Sequence, residues 1–235
     1  MCIHDCSPNK KVQSLLTKLN DYLEEFLELQ YHQLFDTPRQ TKTIGHVKDF
    51  GEVVGGGTPS KTHPEYYSER EIAWITPKDL SEGTNKFIQR GKQDISELGL
   101  KKSSARMLPT GTVLMSSRAP IGYLAIADNL LCTNQGFKSI IPNEKFGTGF
   151  IYYWLKTHMN EIRAKSTGST FPEISAGILR EIEVSIPNEL SLKIFQNLCS
   201  NIFSLQRNLE QQNKQLQTLR DSLLPKLLSG EITVD

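Results

Sequence analysis

Hydrophobic residues recur at steps of three and four in the first part of the chain. The main stripe consists of Val12, Leu15, Leu19, Tyr22, Phe26 and Leu29. A second set widens it: Leu16, Leu23, Leu27 and Leu34. Because neither Gly nor Pro interrupts this periodicity, the pattern predicts an amphipathic helix from about Pro8 to Phe35.

A second periodic segment closes the chain, from about Glu189 to Leu228. Its hydrophobic seam alternates steps of four and three through Leu198, Ile202, Leu205, Leu209, Gln212, Leu216, Leu219 and Leu223. Such a seam is typical of a coiled coil, with Gln212 as a polar position that sets register. We expect Pro225 to kink or end the helix. The seam must pack on another surface. Two partners remain open: the first helix, or a second copy of the chain, which the seam favours.

Between the two helices, Gly and Pro residues punctuate short runs with strand character. These runs are Val113–Met115, Tyr123–Ile126, Phe137–Ile141 and Ile182–Ile186. A helix is predicted at about Thr148 to Ala164, and a short one from Ile174 to Leu179. The expected fold class is therefore α+β. Three parts follow: an N-terminal helix (residues 1–38), a mixed α/β domain (39–187) and a C-terminal coiled-coil helix (188–235).

Composition narrows the classes of protein. With 37% hydrophobic and 23% charged residues, the 235-residue chain has the composition of a globular protein. No apolar run approaches the roughly 20 residues that span a bilayer. The polar N-terminus lacks the apolar core of a signal peptide, so we expect a cytoplasmic protein without a membrane partner. The middle part holds 18 basic and 15 acidic residues, a mild positive excess that gives weak support for DNA binding.

Motifs for catalysis and for metals are missing. The sequence contains no phosphate-binding P-loop, no Gly-x-Gly-x-x-Gly and no His-Glu-x-x-His. It also lacks the Asn/Asp-Pro-Pro-aromatic motif of DNA amino-methyltransferases. Cys2, His4 and Cys6 cluster, but they are too few to complete a tetrahedral zinc shell. We therefore expect no catalytic residue, no metal site and no cofactor on this chain.

Loops of the middle part carry side chains suited to nucleic acid. Arg pairs with guanine edges and Asn or Gln with adenine edges, whereas Lys, Ser and Thr mostly contact phosphate. The candidate DNA-binding residues are Gly57, Thr58, Ser60, Lys61, Lys78, Lys101, Lys102, Ser116, Ser117, Arg118, Asn134, Gln135, Lys165, Thr167, Ser169 and Thr170. For each one, a solvated loop or a structural hydrogen bond is the competing interpretation. Asn134 and Gln135 could instead belong to a buried network.

Several ordered motifs resemble one family. Gly55–Ser60 and Ile72–Leu80 look like the opening of a type I restriction target-recognition domain. The similarity continues through Ser103–Ala105, Leu108–Leu114, Ser116–Gly122, Thr133–Phe137 and Gly168–Ile174, and the ending Leu223–Ile232 resembles the C-terminal signature. The chain thus resembles the specificity subunits of type I restriction-modification systems, the HsdS family, over nearly its whole length.

The resemblance implies a function and partners. Family members typically carry two recognition domains, each reading half of a split double-stranded DNA target, and two long helices that set their distance. This chain has one recognition domain, so it resembles a half-length subunit. It would either form a homodimer through its helices and read a palindromic target, or work only with another partner. The resemblance places S-adenosylmethionine on a modification subunit and ATP on a restriction subunit.

Two other functions compete with DNA recognition. The chain could be a coiled-coil assembly or inhibitory protein that binds modification subunits but no DNA, which the weak net charge would favour. A stand-alone nuclease or methyltransferase is disfavoured because the active-site motifs are missing.

Overall fold

The computed structural model describes residues 8–36, 43–83, 85–168, 170 and 172–232. The helices are α1 (Pro8–Phe35), α2 (Pro77–Ser81), α3 (Glu97–Lys101), α4 (Gly147–Thr157), α5 (Met159–Ala164), α6 (Ala176–Arg180) and α7 (Glu189–Leu228). The strands are β1 (Thr43–His46), β2 (Gly51–Gly55), β3 (Tyr67–Ser68), β4 (Ile72–Ile75), β5 (Phe87–Ile88), β6 (Gln93–Ile95), β7 (Val113–Ser117), β8 (Ile121–Ala127), β9 (Cys132–Thr133), β10 (Lys138–Pro142) and β11 (Glu183–Ile186).

The chain divides into two compact units. One consists of residues up to Gln33 together with residues from Asn197 onward, and the other is Leu34–Gln196. The helix unit therefore joins the two ends of the chain, and the α/β unit lies between them in sequence. The sequence-based boundaries after residues 38 and 187 lie a few residues inside the α/β unit.

Strands from distant parts of the sequence pair in the α/β unit. A five-stranded sheet has the order β2-β10-β7-β8-β5, a four-stranded sheet has the order β3-β6-β4-β9, and β1 pairs with β11. Among the strand pairs of the described residues, β5–β8 and β4–β9 are parallel and the others are antiparallel. The predicted α+β class is confirmed, and all four predicted strand runs form strands of these sheets.

A hydrophobic core fixes the sheets. Val54, Ile75, Leu114 and Phe137 are among the residues of one buried cluster. Phe50 contacts the aromatic rings of Phe146, Phe150 and Trp154 with centroid distances of 4.9 to 5.2 Å. This packing holds α4 against the chain segment that precedes β2.

The structure refines two helix predictions. The helix expected from Thr148 to Ala164 is two helices, α4 and α5, because the backbone of His158 leaves the helical conformation between them. Helix α7 continues through Pro225 to Leu228, so this proline does not end the helix at its own position.

Within the helix unit, α1 and α7 pack against each other in antiparallel orientation. The Gln206 side chain donates to the carbonyl of Asn20 at 3.4 Å, and Asn213 donates to the Thr17 hydroxyl at 3.0 Å. The contact that lies later on α7 lies earlier on α1, so the two helices run in opposite directions. The sequence left two partners open for the C-terminal helix. In the structure, the first helix of the same chain is one surface on which α7 packs.

Candidate nucleic-acid interface

Three loops meet at Gly57. Its N–H donates to the carbonyl of Thr133 at 2.9 Å, and its carbonyl accepts from the Trp74 indole at 3.0 Å. A Cβ atom at this position would lie 2.3 Å from the backbone nitrogen of Ala105. Glycine is therefore required at this position by the close approach of neighbouring backbone.

Next to this junction, the side chains of Thr58 and Gln135 hydrogen-bond to each other. Gln135 is exposed. Asn134 instead turns inward: its Oδ1 accepts from the N–H of Gly136 at 2.8 Å, which closes a tight turn. Of the two amide side chains predicted to read bases, Gln135 is on the surface and Asn134 stabilises the loop that presents it.

Ser116 and Ser117 are both fully buried. The Ser116 hydroxyl donates to the carbonyl of Pro120 at 2.8 Å and accepts from the N–H groups of Gly122 and Tyr123. The Ser117 hydroxyl accepts from Lys138 Nζ at 3.3 Å. Both hydroxyls, which the sequence suggests as DNA contacts, are therefore bonded inside the protein: Ser116 holds the turn between β7 and β8, and Ser117 contacts Lys138 of β10.

Arg118 follows the two serines and forms an ion pair with Glu173 at 3.7 Å. Lys138 approaches the same carboxylate at 3.1 Å. Glu173 also exchanges two backbone hydrogen bonds with Thr167, of 2.9 and 3.0 Å. Glu173 thus contacts two cations through its carboxylate and Thr167 through its backbone. Neither Glu173 nor Lys138 is among the residues that the sequence suggests as DNA contacts.

These contacts connect into one surface, here called the loop face: residues 57–60, 116–118, 133–136 and 165–173 as far as they are described. A further link is the hydrogen bond from the N–H of Ser117 to the carbonyl of Gly136, at 2.7 Å. The predicted residues are therefore linked in two pairs: a hydrogen bond joins Thr58 to Gln135, and Glu173 joins Arg118 to Thr167 through an ion pair and backbone hydrogen bonds. The Ser117–Gly136 bond connects the two pairs through their chain neighbours, so that the four residues belong to one network. No signal in the sequence predicts this convergence, because the loops are separated by up to about a hundred residues.

Most of the remaining candidate DNA-binding residues contact residues that are close to them in sequence, or are exposed. Lys78, Lys101 and Lys165 each pair with a Glu on their own helix, at 3.8, 3.7 and 3.9 Å. Ser60 shares a hydrogen bond with Thr62 at 2.7 Å. Lys61, Lys102 and Thr170 are exposed. Ser169 lies outside the described residues, as do Cys2, His4 and Cys6.

A buried thiol lies directly before the loop of residues 133–136. Cys132 precedes the 133–136 loop, and burial raises the pKa of its thiol to about 12. Its Sγ donates to the carbonyl of Ala73 at 3.4 Å. In the described part of the chain, no group of His, Cys, Asp and Glu is arranged to hold a metal ion. None of the described helices is long and apolar enough to cross a membrane.

The predicted seam of α7 divides between buried and exposed positions. Leu209 is buried, and Leu198, Ile202 and Leu216 are half-buried. The exposed seam residues are Leu205, Gln212, Leu219 and Leu223. In their place Phe203 and Gln206 are buried, so the face that α7 buries is rotated by about one residue from the seam. Half of the predicted seam is left uncovered.

Comparison with known proteins gives the family. Residues 40–216 match the model of the type I restriction modification DNA specificity domain. The specificity subunit of the type I restriction enzyme MjaIX from Methanocaldococcus jannaschii is 43% identical over 178 residues, which are 75% of this chain and 41% of that protein. The HindI specificity subunit from Haemophilus influenzae is 29% identical over 189 residues, 79% of this chain and 40% of that protein.

Solved structures agree in fold. The S subunit of a type I restriction-modification system from M. genitalium superposes with a TM-score of 0.68 at 16% identity, over 93% of this chain and 57% of that one. The HsdS subunit from Thermoanaerobacter tengcongensis gives a TM-score of 0.55 at 15% identity, over 95% and 55%. The chain spans about two fifths of the length of the curated relatives it matches. It belongs to the type I restriction-modification DNA specificity family, with one specificity domain.

Proposed function

We propose that this chain reads one half-site of a split double-stranded DNA target on behalf of a type I restriction-modification complex. The observation that carries the proposal is the loop face, where Thr58, Gln135, Arg118 and Thr167, from four separate loops, belong to one network. Loops held by a rigid scaffold are the usual place for recognition residues. Membership of the specificity family supports the same function.

In this proposal, some side chains contact base edges and others contact phosphates. Gln135 and Arg118 are the side chains suited to base edges in the major groove. Lys61, Lys101, Lys102 and the nearby hydroxyl of Ser60 are suited to phosphates, which position a protein without reading sequence. Ser116, Ser117 and Asn134 support these groups from below.

The chemistry of modification and cleavage is assigned to other chains. We propose a modification subunit that carries S-adenosylmethionine and a restriction subunit that hydrolyses ATP as partners, with the present chain non-catalytic and without a cofactor. Its site of action would be the cytoplasm, where the DNA is. The similarity of the chain to specificity subunits supports this division.

We further propose that two copies pair through their helices and so present two recognition domains. The exposed seam residues Leu205, Leu219 and Leu223 support this, since several exposed leucines along one face of a helix favour a protein partner. A homodimer would restore a two-fold arrangement, and its target would be palindromic.

The decisive experiment exchanges the recognition domain. Residues 43–187 are replaced by the corresponding segment of the MjaIX relative, and the chimera is assembled with the native modification subunit. We expect methylation to move to a different DNA sequence, which methylation-sensitive sequencing detects. Unchanged methylation would contradict the proposal and favour a helical assembly protein that does not touch DNA. The matched control exchanges only surface residues of α7, which should leave the target unaltered.

A further inference from the structure

The long N-terminal helix exposes a complete heptad stripe. Six large hydrophobic side chains are between 43% and 66% exposed: Val12, Leu15, Leu19, Tyr22, Phe26 and Leu29. They follow steps of three and four without a break over five helical turns. A stripe of this kind is a coiled-coil contact surface rather than a scatter of single surface residues.

The intramolecular contact with α7 does not use this stripe. On α1 the buried or half-buried side chains include those of Leu16, Asn20, Leu23, Leu27 and Tyr31, which lie on the neighbouring face. On α7 the exposed Leu205 lies one residue before the buried Gln206. The exposed stripe of α1 likewise lies one residue before its buried face, so both stripes are rotated by about a third of a turn in the same sense. Since the two helices are antiparallel, the exposed stripes lie on the same side of the pair. One side of the helix unit is therefore apolar, as in half of a four-helix bundle.

The stripe of α1 is self-complementary in antiparallel orientation. A two-fold axis between Asn20 and Asp21 would place Leu19 opposite Tyr22 of the second copy. The same axis places Leu15 opposite Phe26 and Val12 opposite Leu29. Every large side chain then meets another large side chain, and none faces a polar residue.

Charges that flank the stripe select the same arrangement. Lys18 and Glu25 are exposed and lie beside it at equivalent heptad positions, seven residues apart. In the antiparallel register each Lys18 faces Glu25 of the second copy, which gives two opposite-charge pairs. In a parallel pair, Lys18 would face Leu23 and Glu25 would face Gln30, so no charge pair forms.

We propose that α1 is the contact surface for a second copy of this chain, with the two α1 helices antiparallel and centred between Asn20 and Asp21. The inference rests on the proposed pairing of two half-length subunits and names the surface and register that pairing uses. The helix unit of each copy contributes α1 and α7 to one four-helix bundle.

Disulfide cross-linking tests the register. The double variant Lys18→Cys/Glu25→Cys is made in a Cys2→Ser/Cys6→Ser background, in which the remaining cysteines, Cys132 and Cys199, are buried. A disulfide within one chain is excluded, because the two positions are about 10 Å apart along the helix and a disulfide spans at most about 7 Å between Cα atoms. Under mild oxidation we expect most of the protein to run at about twice its mass of 26.6 kDa on a non-reducing gel.

The matched control is Ser14→Cys/Asp21→Cys in the same background. These residues are also exposed and seven apart, but they lie on the side of α1 away from the stripe. They should cross-link at least tenfold more slowly. Equal rates for the two variants would mean random collision and would overturn the inference.

A second variant tests whether α1 is the contact surface separately from whether two copies pair at all. Leu19→Glu/Tyr22→Glu replaces exposed residues, so the helix content by circular dichroism should be unchanged while light scattering reports a monomer. If the variant stays dimeric, α1 is not the interface, and the proposed pairing stands through α7. If the wild-type chain is itself monomeric, the pairing fails as well, while the domain exchange still decides DNA recognition.

Discussion

At the scale of single residues, polar loop side chains divide into those that build the loop face and those that it presents. Ser116 and Asn134 resemble DNA contacts in sequence, yet each satisfies neighbouring backbone groups. Small polar residues in loops serve both purposes, and only burial separates them. Gln135 is one residue from Asn134 and Arg118 is two residues from Ser116, and they remain exposed and half-exposed, respectively.

Removing the Ser116 hydroxyl should destabilise the fold. Ser116→Ala leaves two N–H groups and one carbonyl of the β7–β8 turn without their partner, so we expect the free energy of unfolding to fall by about 1–3 kcal/mol. Urea unfolding followed by tryptophan fluorescence measures it. The control, Ser60→Ala, removes an exposed hydroxyl and should change stability by less than about 0.5 kcal/mol. Equal stability of the two variants would argue that the Ser116 hydrogen bonds contribute nothing.

Glu173 should weaken DNA binding in the wild-type chain. Its carboxylate neutralises Arg118 and Lys138 and adds negative charge to the loop face. We expect Glu173→Gln to tighten binding to non-specific DNA about two- to fivefold at low salt, and less at high salt, because screening reduces interactions between exposed charges. Fluorescence anisotropy at several salt concentrations measures the change. Glu181→Gln, which frees Lys48 outside the loop face, is the control and should have no such effect.

The buried thiol gives a prediction about pH. Because burial raises the pKa of Cys132 to about 12, the folded state holds the neutral thiol, whereas the unfolded chain ionises near pH 8.5. The contribution of this group to stability is thus complete below pH 8.5 and is lost as pH rises toward 12. At pH 8 we expect Cys132 to resist a thiol reagent until the chain unfolds. Mass spectrometry of the Cys2→Ser/Cys6→Ser variant identifies the modified residue, and rapid labelling of folded protein would refute the prediction.

At the scale of elements, periodicity predicted the two long helices closely. The observed bounds, Pro8–Phe35 and Glu189–Leu228, agree with the expected ones. The face that each helix buries did not follow from the pattern. Two apolar stripes lie side by side on α1, and the pattern cannot say which one meets α7. On α7, Phe203 is as compatible with burial as Leu205, but the burial of the polar Gln206 could not be predicted from a hydrophobic pattern, because it depends on a hydrogen bond to the Asn20 carbonyl.

Truncation of Leu205 and of Leu209, which lie one helical turn apart on α7, should therefore change the stability of the fold by different amounts. Leu209 is 6% exposed, whereas Leu205 is 43% exposed. We expect Leu209→Ala to lower the free energy of unfolding by about 2–4 kcal/mol through the cavity it leaves. Leu205→Ala should cost less than about 1 kcal/mol at protein concentrations where the chain is monomeric. Urea unfolding followed by circular dichroism compares them, and a larger loss for Leu205 would contradict the observed helix packing.

At the scale of the whole molecule, the sheet order and the loop face lay beyond sequence reasoning. The sheet pairs β2 with β10 and β5 with β8, strands separated by dozens of residues. Each strand run is visible locally, but its partner is selected by packing of the whole core. The loops of Thr58, Arg118, Gln135 and Thr167 meet only because those pairings exist, so the network around Glu173 could not be predicted residue by residue.

If two copies of the chain pair through their helices as proposed, the pair should read DNA with a fixed spacing. If the recognition domains are held at a set separation, a palindromic target binds tightly only when both half-sites reach both domains on the same face of the duplex. Inserting about five base pairs between the half-sites turns one of them by half a helical turn, of about 10.5 base pairs. We expect the affinity to fall at least tenfold, since binding through a single half-site loses the gain from linked contacts. Anisotropy titrations with a series of spacers measure this dependence. The monomeric Leu19→Glu/Tyr22→Glu variant should bind every spacer with the same weak affinity. A wild-type chain that is also insensitive to spacing would show that each copy reads its half-site independently.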